Sequence, residues 1–430
     1  MRILLLLSES WNDIAHPNNN MTNWFLGCSN IEIWTISGSA MEPYNSICKH
    51  YYLTNEVKMA KSLFTREKVG KVVECDNFQS EAIDQINTGI PKKLKRFFSS
   101  ELARLCRDIV WGYGRYNESL LEDFIKRCGP DVIFSLRMGS VKMCRLESIV
   151  LKYTDAPLVV YTGDDDYSLL QYNFNPIFWL RRFWVRKWIS RMAPFYRFLY
   201  CQSERQMEEY SKDLGVESKF LVKAGDFELG RVHSTVENPI QVTYGGKLYC
   251  NRWKTLVLLV EAISKVNEYY QDIKIQLNIY TSDLITSRQN TLLNDGHNSI
   301  IRGTVSGDEL KRIYEHSDLV IHVEGLDKKN RLLTKDSFST KVMDCLASGS
   351  AVMAIAWEKH AALQYLKKMD AALIASNQNE IEEVISNIVS NPQLLLQYAS
   401  NAYKCGKNFH NRKEVQKTLM NDFKLISERC

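Results

Sequence analysis

Short apolar runs alternate with longer amphipathic stretches along the whole chain. A short apolar run bounded by turn residues is typical of a buried strand, whereas apolar positions three and four residues apart are typical of a helix facing a core. The alternation predicts an α/β protein in which helices cross over between parallel strands. The predicted strands are Ile3–Leu7, Ile31–Ile36, Val132–Leu136, Leu158–Thr162, Phe198–Cys201, Phe220–Val222, Gln241–Tyr244, Ile273–Tyr280, Ile300–Ile301, Leu319–Val323, Ala351–Ile355 and Ala371–Ile374. The predicted helices of the second half include Thr255–Asn267, Ser306–His316 and Ser339–Ser348.

The length of the chain indicates two domains, because 430 residues exceed what one hydrophobic core usually organises. The polar segment Ser234–Pro239 separates the two sheet-like halves, so we expect an N-terminal domain over residues 1–233 and a C-terminal domain over 234–410. Open parallel sheets bind ligands beyond the carboxyl ends of their strands. We therefore expect two Rossmann-like domains that face a ligand cleft. The amphipathic pattern near the C-terminus predicts a final helix within 411–430.

Composition excludes several classes of protein. The chain is 45% apolar with 20 glycines and 9 prolines, which excludes collagen-like and disordered sequences. Its eleven cysteines are scattered and form no Cys-x-x-Cys pair, so neither a zinc site nor a disulfide framework is indicated. The N-terminus reads as a buried strand rather than a secretory signal, and no apolar run is long enough to span a bilayer. We expect a cytoplasmic protein.

A first candidate for chemistry follows the strand Gln241–Tyr244. Two glycines, Gly245 and Gly246, end this strand, and Lys247, Arg252 and Lys254 follow in the loop that enters the next helix. Glycines allow a ligand to approach the backbone closely, and the cations supply charge for a diphosphate. An ordinary strand-to-helix turn with solvated lysines explains the same residues.

A second candidate is the run from Asp336 to Gly349, which follows the strand Leu319–Val323 along the chain. Ser339 or Thr340 is a natural N-cap, and the free N–H groups at such a helix start, which also includes Lys341, form an anion site. Asp344 lies one turn below Thr340 on the same side, where a carboxylate accepts hydrogen bonds from a diol such as ribose. A capped helix with surface aspartates is the alternative interpretation.

From residue 241 onward the sequence resembles the donor domain of GT-B fold glycosyltransferases of the family 4 type. Gly246-Lys247-Leu248 stands where that family has Gly-Arg-Leu, and Asp336 and Asp344 keep the spacing of its two glutamates. The resemblance implies that Lys247, with Lys254 or Arg252, holds the diphosphate of a nucleotide-sugar donor. It further implies that Asp344 binds the ribose, that Asp336 lies near the transferred sugar, and that the final helix packs back toward the N-terminal domain. Two departures are that both acids are aspartates and that serines, Ser337 and Ser339, replace small glycines.

In the first half, the strand Leu158–Thr162 runs into an acidic loop that contains Asp164. Relatives often have a histidine followed by an acid there, so the resemblance makes Asp164 a candidate for positioning the reacting sugar. A second interpretation takes the Asp164–Asp166 run as a metal-binding motif, because carboxylates suit Mg²⁺ or Mn²⁺ on a diphosphate. A solvated acidic loop is a third. We expect no metal and no cofactor, the nucleotide-sugar being a substrate.

The formal charge of +5 conceals two strongly basic stretches. Residues 177–200 carry six cations, no acid and nine aromatic residues, and residues 92–107 add a net +5. Cations interleaved with tryptophan and phenylalanine suit a helix that lies on anionic lipid. A helix with one buried face and snorkelling arginines is the alternative, and nucleic acid is not an expected partner because no recognised binding module accompanies the stretch.

Together these features predict a glycosyltransferase at the inner face of a membrane that moves a sugar from a nucleotide donor to a lipid-linked or polysaccharide acceptor. Retention of configuration is implied by the family resemblance. Two alternatives remain open: a nucleotide-sugar epimerase of the same architecture, and a non-catalytic partner subunit, since both acids are shortened.

Overall fold

The computed structural model describes residues 1–16, 19–75, 100–137, 140–163, 165, 167–227 and 232–428. They divide into two compact units: the first comprises 1–169, 173–221 and 416–430, and the second 170–172 and 222–415. The division at residue 221 precedes the polar segment Ser234–Pro239, because Val222 and Phe227 already belong to a hydrophobic cluster of the second unit.

The first unit is built on an eight-stranded sheet with the order β4-β3-β2-β1-β5-β6-β7-β8. All neighbouring pairs are parallel except β3 and β4, which are antiparallel. Its strands are β1 (Arg2–Leu7), β2 (Glu32–Ser37), β3 (His50–Leu53), β4 (Lys71–Glu74), β5 (Val132–Arg137), β6 (Leu158–Thr162), β7 (Tyr196–Cys201) and β8 (Ser218–Phe220). Its helices are α1 (Asn20–Phe25), α2 (Glu56–Lys61), α3 (Glu101–Tyr113), α4 (Glu118–Cys128), α5 (Val141–Val150), α6 (Pro176–Met192) and α7 (Glu204–Leu214).

The central strands of this sheet are continuous apolar runs because helices cover both faces. Residues Ile3–Leu7 are all buried, and so are Leu158–Thr162. The sequence pattern missed β3 and β4, which are short and lie at one edge of the sheet. Side-chain caps start several helices; Ser100 accepts from the backbone N–H of Ala103, and Ser203 from that of Gln206.

The second unit contains a six-stranded parallel sheet with the order β11-β10-β9-β12-β13-β14. Its strands are β9 (Ile240–Gly245), β10 (Ile275–Tyr280), β11 (Ser299–Gly303), β12 (Leu319–Val323), β13 (Ala351–Ile355) and β14 (Leu373–Ala375). Its helices are α8 (Arg252–Tyr270), α9 (Ser287–Leu293), α10 (Gly307–Glu315), α11 (Lys328–Leu333), α12 (Thr340–Ala347), α13 (Ala361–Lys368), α14 (Gln378–Ser390) and α15 (Gln393–Phe409). The predicted strands at 319–323 and 351–355 are confirmed to the residue, because both are fully buried runs.

The last helix, α16 (Arg412–Ser427), begins in the second unit and belongs to the first from Gln416 onward. In the first unit its Phe423 packs against Phe134 of β5, with ring centroids 5.3 Å apart. Asp422 accepts hydrogen bonds from the Tyr200 hydroxyl at 2.7 Å and from Lys219 Nζ at 2.7 Å. This helix therefore covers part of the first sheet.

The basic and aromatic stretch 177–200 is not a single helix, which corrects the expectation of an interfacial helix over its whole length. Helix α6 ends at Met192, a short 3₁₀ turn follows over Ala193–Phe195, and the remainder is the buried strand β7. Tyr196, Phe198 and Tyr200 are therefore core residues of the sheet. Of the other basic stretch, residues 92–99 lie outside the described residues. No helix in the described part of the chain is long and apolar enough to cross a bilayer.

Candidate functional site

The strand order of the second unit reverses between β9 and β12, and ligands bind at such switch points beyond the carboxyl ends of the strands. Gly245 ends β9, Glu324 directly follows β12, and Ser339 caps the start of α12. Two of the predicted residues, Gly246 and Lys341, lie in contact here.

Gly246 lies directly against the ammonium group of Lys341. A Cβ atom at position 246 would overlap Lys341 Nζ and would lie 2.9 Å from the hydroxyl of Tyr244. The backbone N–H of Gly246 donates to the carbonyl of Tyr280 at 2.9 Å, which fixes the turn. Any larger residue at 246 would therefore displace the Lys341 ammonium from its present position.

Lys341 carries an ammonium group that is largely buried and lacks a counter-ion. Its Nζ has no hydrogen-bond or ion-pair partner within the described residues and lies 5.9 Å from the centroid of the Tyr244 ring. Burial, reinforced by the nearby charge of Arg252, lowers the pKa of Lys341 from 10.5 to about 8. A buried cation with donors to spare is the kind of group that binds an anion.

Arg252 and Glu324 form a buried ion pair at the base of the site. The guanidinium donates from Nε to Glu324 Oε2 at 3.0 Å and from Nη2 to Oε1 at 2.6 Å. Burial alone would raise the pKa of Glu324, but the adjacent Arg252 holds it below its usual range. His322 lies 3.7 Å from the same carboxylate, and burial lowers the pKa of this histidine to about 3, so it is neutral. Two donors of Arg252 are thus used within the protein.

Lys247 and Lys254 are exposed, whereas Lys341 is largely buried. Lys247 Nζ donates to Ser282 Oγ at 2.7 Å and lies 3.3 Å from Asp283, with half of the lysine side chain exposed. Lys254 is exposed, and its ammonium lies 5.7 Å from the centroid of the Trp253 ring. Neither lysine shares a hydrogen bond or ion pair with the Arg252–Glu324 pair.

At the start of α12, Ser339 is the N-cap, and its hydroxyl accepts from the backbone N–H of Lys341 at 3.4 Å. Thr340 is the first helical residue. One turn further, Asp344 Oδ1 accepts from Nζ of the buried Lys223 at 2.9 Å. Lys341 and Asp344 are three residues apart and therefore share one side of the helix.

Asp336 is only 2% exposed. Its Oδ2 lies 2.9 Å from Nζ of Lys335, a lysine that is itself 1% exposed. This placement differs from that of Asp344, whose side chain is 37% exposed. The two aspartates of the motif thus have different environments, one enclosed with a lysine and one open to a ligand.

Asp164 lies outside the described residues. Its neighbour Asp165 is described and is buried, where it accepts from Arg182 Nη2 at 2.8 Å and from the backbone N–H of Ser168 at 2.8 Å. The part of the acidic loop that is described therefore serves to anchor the start of the following segment. Among the described residues, no group of three or more His, Cys, Asp or Glu side chains is arranged to hold a metal ion.

The sequence pattern did not point to Glu324 or Lys223, and the family resemblance implied Lys247, with Lys254 or Arg252, for the diphosphate. Glu324 directly follows a predicted strand, so its place at the carboxyl edge of the sheet was a usable signal. Lys223 is 121 residues from Asp344, and nothing in the sequence pattern connects the two.

Comparison with known families and structures places these features in context. Residues 289–421 match the family model described as "Glycosyl transferase-like". That range contains Glu324, Lys341 and Asp344 but not the loop from Gly246 to Lys254. Among curated proteins, none is significantly similar to the chain.

Solved structures with the same architecture are numerous. HepE of Anabaena in complex with UDP superposes with a TM-score of 0.62 at 11% identity, over 99% of this chain and 100% of HepE. Sucrose-phosphate synthase of Thermosynechococcus elongatus gives a TM-score of 0.62 at 11% identity, with both chains fully covered. Apo OtsA gives 0.60 at 9% identity over 99% of each chain. The chain thus has the α/β fold with two parallel-sheet domains of GT-B glycosyltransferases.

Proposed function

We propose that this protein is a glycosyltransferase that uses a nucleotide-diphosphate sugar as donor. The observation that carries the proposal is the ammonium of Lys341, which is largely buried, lacks a partner among the described residues and lies against Gly246 at the start of α12. A diphosphate is the ligand that such a group, in the first turn of a helix, is suited to bind.

In the proposed site, the charged groups have different roles. In the proposed reaction the bond between the sugar and the diphosphate breaks, and negative charge accumulates on the departing phosphate oxygens. Lys341 and the positive end of the α12 dipole would stabilise that charge, because they are fixed before the reaction begins. The Arg252–Glu324 pair would hold the base of the site, where Thr255 also bonds to the carbonyl of Glu324 at 2.8 Å. Lys247 and Lys254 would attract the donor from solvent.

Asp344 is proposed to bind the donor ribose, and Lys223 is proposed to hold its carboxylate in place. Lys223 donates to Oδ1 of Asp344 at 2.9 Å, and we assign Oδ2 to the ribose hydroxyls. Asp336 is proposed to act near the transferred sugar through its enclosed pair with Lys335 rather than as an exposed acid. Asp164 keeps the proposed role of positioning the reacting sugar.

The comparisons are consistent with this proposal. HepE has been solved with UDP, with UDP-glucose, and with UDP and glucose, and it shares the fold over the full length of both chains. For this chain we propose a uridine or other nucleoside diphosphate sugar, transferred with retention and without a metal ion. The proposed acceptor is a lipid-linked or growing saccharide.

The direct test of the proposal is turnover. Incubation with a panel of UDP-sugars and saccharide acceptors should release UDP only when donor and acceptor are both present. Conversion of the donor into its epimer without any acceptor would instead identify an epimerase. Failure to bind any nucleoside diphosphate by calorimetry would contradict the proposal and favour a non-catalytic subunit.

Replacing Lys223 by methionine tests the ribose assignment. We expect UDP to bind wild-type protein about tenfold better than 2′,3′-dideoxy-UDP, since charged hydrogen bonds to the hydroxyls contribute about 1.5 kcal/mol or more. Lys223→Met should remove most of that preference because Asp344 loses the ammonium that orients it. Calorimetry with the two nucleotides provides the ratio. Lys265→Met, which removes an exposed lysine of α8, is the matched control. An unchanged ratio in Lys223→Met would show that the ion pair is only structural.

A membrane-facing surface on the first unit is the second part of the proposal. Three arginines of α6 are used internally: Arg181 bonds to Asp108 at 2.5 Å, Arg182 to Asp165 at 2.8 Å, and Arg186 lies 3.7 Å from the centroid of the Tyr167 ring. The opposite side exposes Leu180 and Phe183 beside the exposed Lys187 and Arg191. The adjacent α3 also exposes Leu102, Ile109 and Tyr113. Exposed apolar side chains flanked by cations suit the headgroup region of an anionic bilayer, on the cytoplasmic side for an enzyme that uses nucleotide-sugars.

We expect the purified protein to sediment with phosphatidylglycerol vesicles at low salt and to be released by high salt. The double variant Leu180→Ser/Phe183→Ser should bind about tenfold more weakly, because two apolar side chains no longer insert. A double variant of the second unit, Tyr269→Ser/Leu284→Ser, removes comparable exposed apolar groups and should bind like wild type. If all three proteins bound the vesicles equally, or if none bound them, the proposed membrane-facing surface would be contradicted.

A further inference from the structure

The first unit contains a second buried lysine that the proposed donor site does not use. Lys142 is the second residue of α5, the helix that follows β5, and it is only 9% exposed. Its Nζ donates to the carbonyl of Ser8, the residue after β1, at 2.6 Å. A Cβ atom at Gly38, the residue after β2, would overlap the lysine side chain. The side chain of Lys142 therefore lies at the carboxyl ends of three neighbouring strands, β2, β1 and β5.

The position between β1 and β5 is the switch point of the first unit. The strand order is β4-β3-β2-β1-β5-β6-β7-β8, so the chain builds outward in one direction from β1 and in the other from β5. Crevices for ligands form at this position in open α/β sheets. The hydroxyls of Ser10 and Ser37 also lie at this edge, 3.1 Å apart and buried.

The ammonium of Lys142 is poorly compensated by the protein. Besides the Ser8 carbonyl, it lies 4.4 Å from the centroid of the Trp111 ring, and no carboxylate of the described residues is within ion-pair distance. Glu56 is the acid whose charge affects the Lys142 ammonium most. Its carboxylate already accepts hydrogen bonds from Arg107 Nε at 3.0 Å and from the Trp111 indole N–H at 3.3 Å. Burial lowers the pKa of Lys142 to about 8, so the group is still mainly charged at neutral pH.

A purely structural role would not require this charge. Burying an ammonium without a counter-ion is costly, and an apolar side chain of similar length would fill the same space over Gly38 and Trp111 without that cost. An ammonium has three N–H donors, and the protein uses one for Ser8 and covers another with the indole ring. The third donor has no partner among the described residues.

We propose that the first unit binds an anionic group of the acceptor, a phosphate or a carboxylate, through Lys142. As an acceptor site it rests on the function proposed above, whereas the anion site itself does not. A phosphate would come from a lipid-linked acceptor and a carboxylate from an acidic sugar; both present the oxyanion that an ammonium recognises.

Calorimetry on the full chain tests the site without requiring turnover. With UDP at saturating concentration, so that the donor site is filled, inorganic pyrophosphate and glucuronate are titrated in separate experiments. We expect one equivalent of one of these anions to bind the wild-type protein. Pyrophosphate binding indicates a phosphate acceptor, and glucuronate binding indicates an acidic sugar. Binding of neither anion to wild-type protein overturns the proposal, whatever any variant does.

Two variants locate the anion. Lys142→Met should weaken its binding at least about tenfold, the effect of losing one charged hydrogen bond, while UDP binding stays at the wild-type value. Lys341→Met should lose UDP but keep the second anion. Anion binding that survives in Lys142→Met would refute the assignment of the anion to Lys142. If the wild-type protein binds the anion at Lys142 but does not bind UDP, only the donor site at Lys341 is contradicted.

Discussion

Replacing Lys341 by methionine is expected to weaken nucleotide binding strongly and, at the same time, to make the protein more stable. The ammonium contributes charge-assisted hydrogen bonds to the diphosphate, so its loss should weaken UDP binding about 100-fold. The folded state, however, holds this lysine at a pKa of about 8 instead of 10.5. Because one pKa unit corresponds to about 1.4 kcal/mol, methionine should raise the free energy of unfolding at pH 7 by up to about 3 kcal/mol.

The lowered pKa of Lys341 also predicts how the free energy of unfolding and the affinity for UDP depend on pH. The folded-state pKa lies below the unfolded value, so the buried charge destabilises wild-type protein below pH 8, and that penalty disappears as the pH rises from 8 to 10.5. UDP affinity should fall over the lower part of this range, because the ammonium is lost from free protein above pH 8. Lys341→Met should show neither dependence.

Urea unfolding and calorimetry across this pH range measure the two effects. Lys254→Met is the matched control, since this lysine is exposed at the start of α8 and its removal should change neither stability nor the pH profile. If Lys254→Met lost UDP binding and Lys341→Met retained it, the diphosphate would belong to the loop before α8, as the family resemblance alone implied.

Breaking the Arg252–Glu324 pair should have the largest effect on stability. Glu324→Leu leaves a buried guanidinium without its carboxylate, which typically costs about 3–5 kcal/mol. The double variant Arg252→Met/Glu324→Leu removes both charges and should recover most of that loss, since a well-packed apolar pair often replaces a buried ion pair without penalty. Chemical denaturation of the three proteins measures these differences.

The double variant also separates two roles for Arg252. If the arginine only supports the site, the double variant binds UDP within a few fold of wild type, because Lys341 is untouched. A loss of UDP binding comparable to that of Lys341→Met would mean that Arg252 leaves Glu324 to engage the diphosphate.

The sequence predicted more of the second unit than of the first, for physical reasons. Strands β12 and β13 are fully buried runs of apolar residues, so pattern alone locates them, and the serine cap locates the start of α12 beside them. The edge strands β3 and β4 lack such runs. The aromatic and basic composition of residues 177–200 predicted a single helix, but these residues form two elements, the helix α6 and the buried strand β7.

Within the candidate site, the sequence pattern pointed to the segments around Gly246 and Lys341 but not to which cation is buried. Lys247, Lys254 and Lys341 are equivalent as residue types, and only the packing of Lys341 against Gly246 distinguishes it. Arg252 and Glu324 are 72 residues apart, and their pairing arises from the adjacency of β9 and β12 in the sheet. Information of this kind resides in topology, which local sequence does not encode.

Helix α16 has a consequence for the order in which the protein is completed during synthesis. Residues that cover Phe134 and bond to Tyr200 leave the ribosome only after the whole second unit has been made. The first sheet, although translated first, therefore keeps an apolar face uncovered until residues 416–428 are released. A contiguous fragment that ends at residue 221 would carry this exposed face permanently, so the first unit should be expressed alone only when residues 416–428 are fused to it.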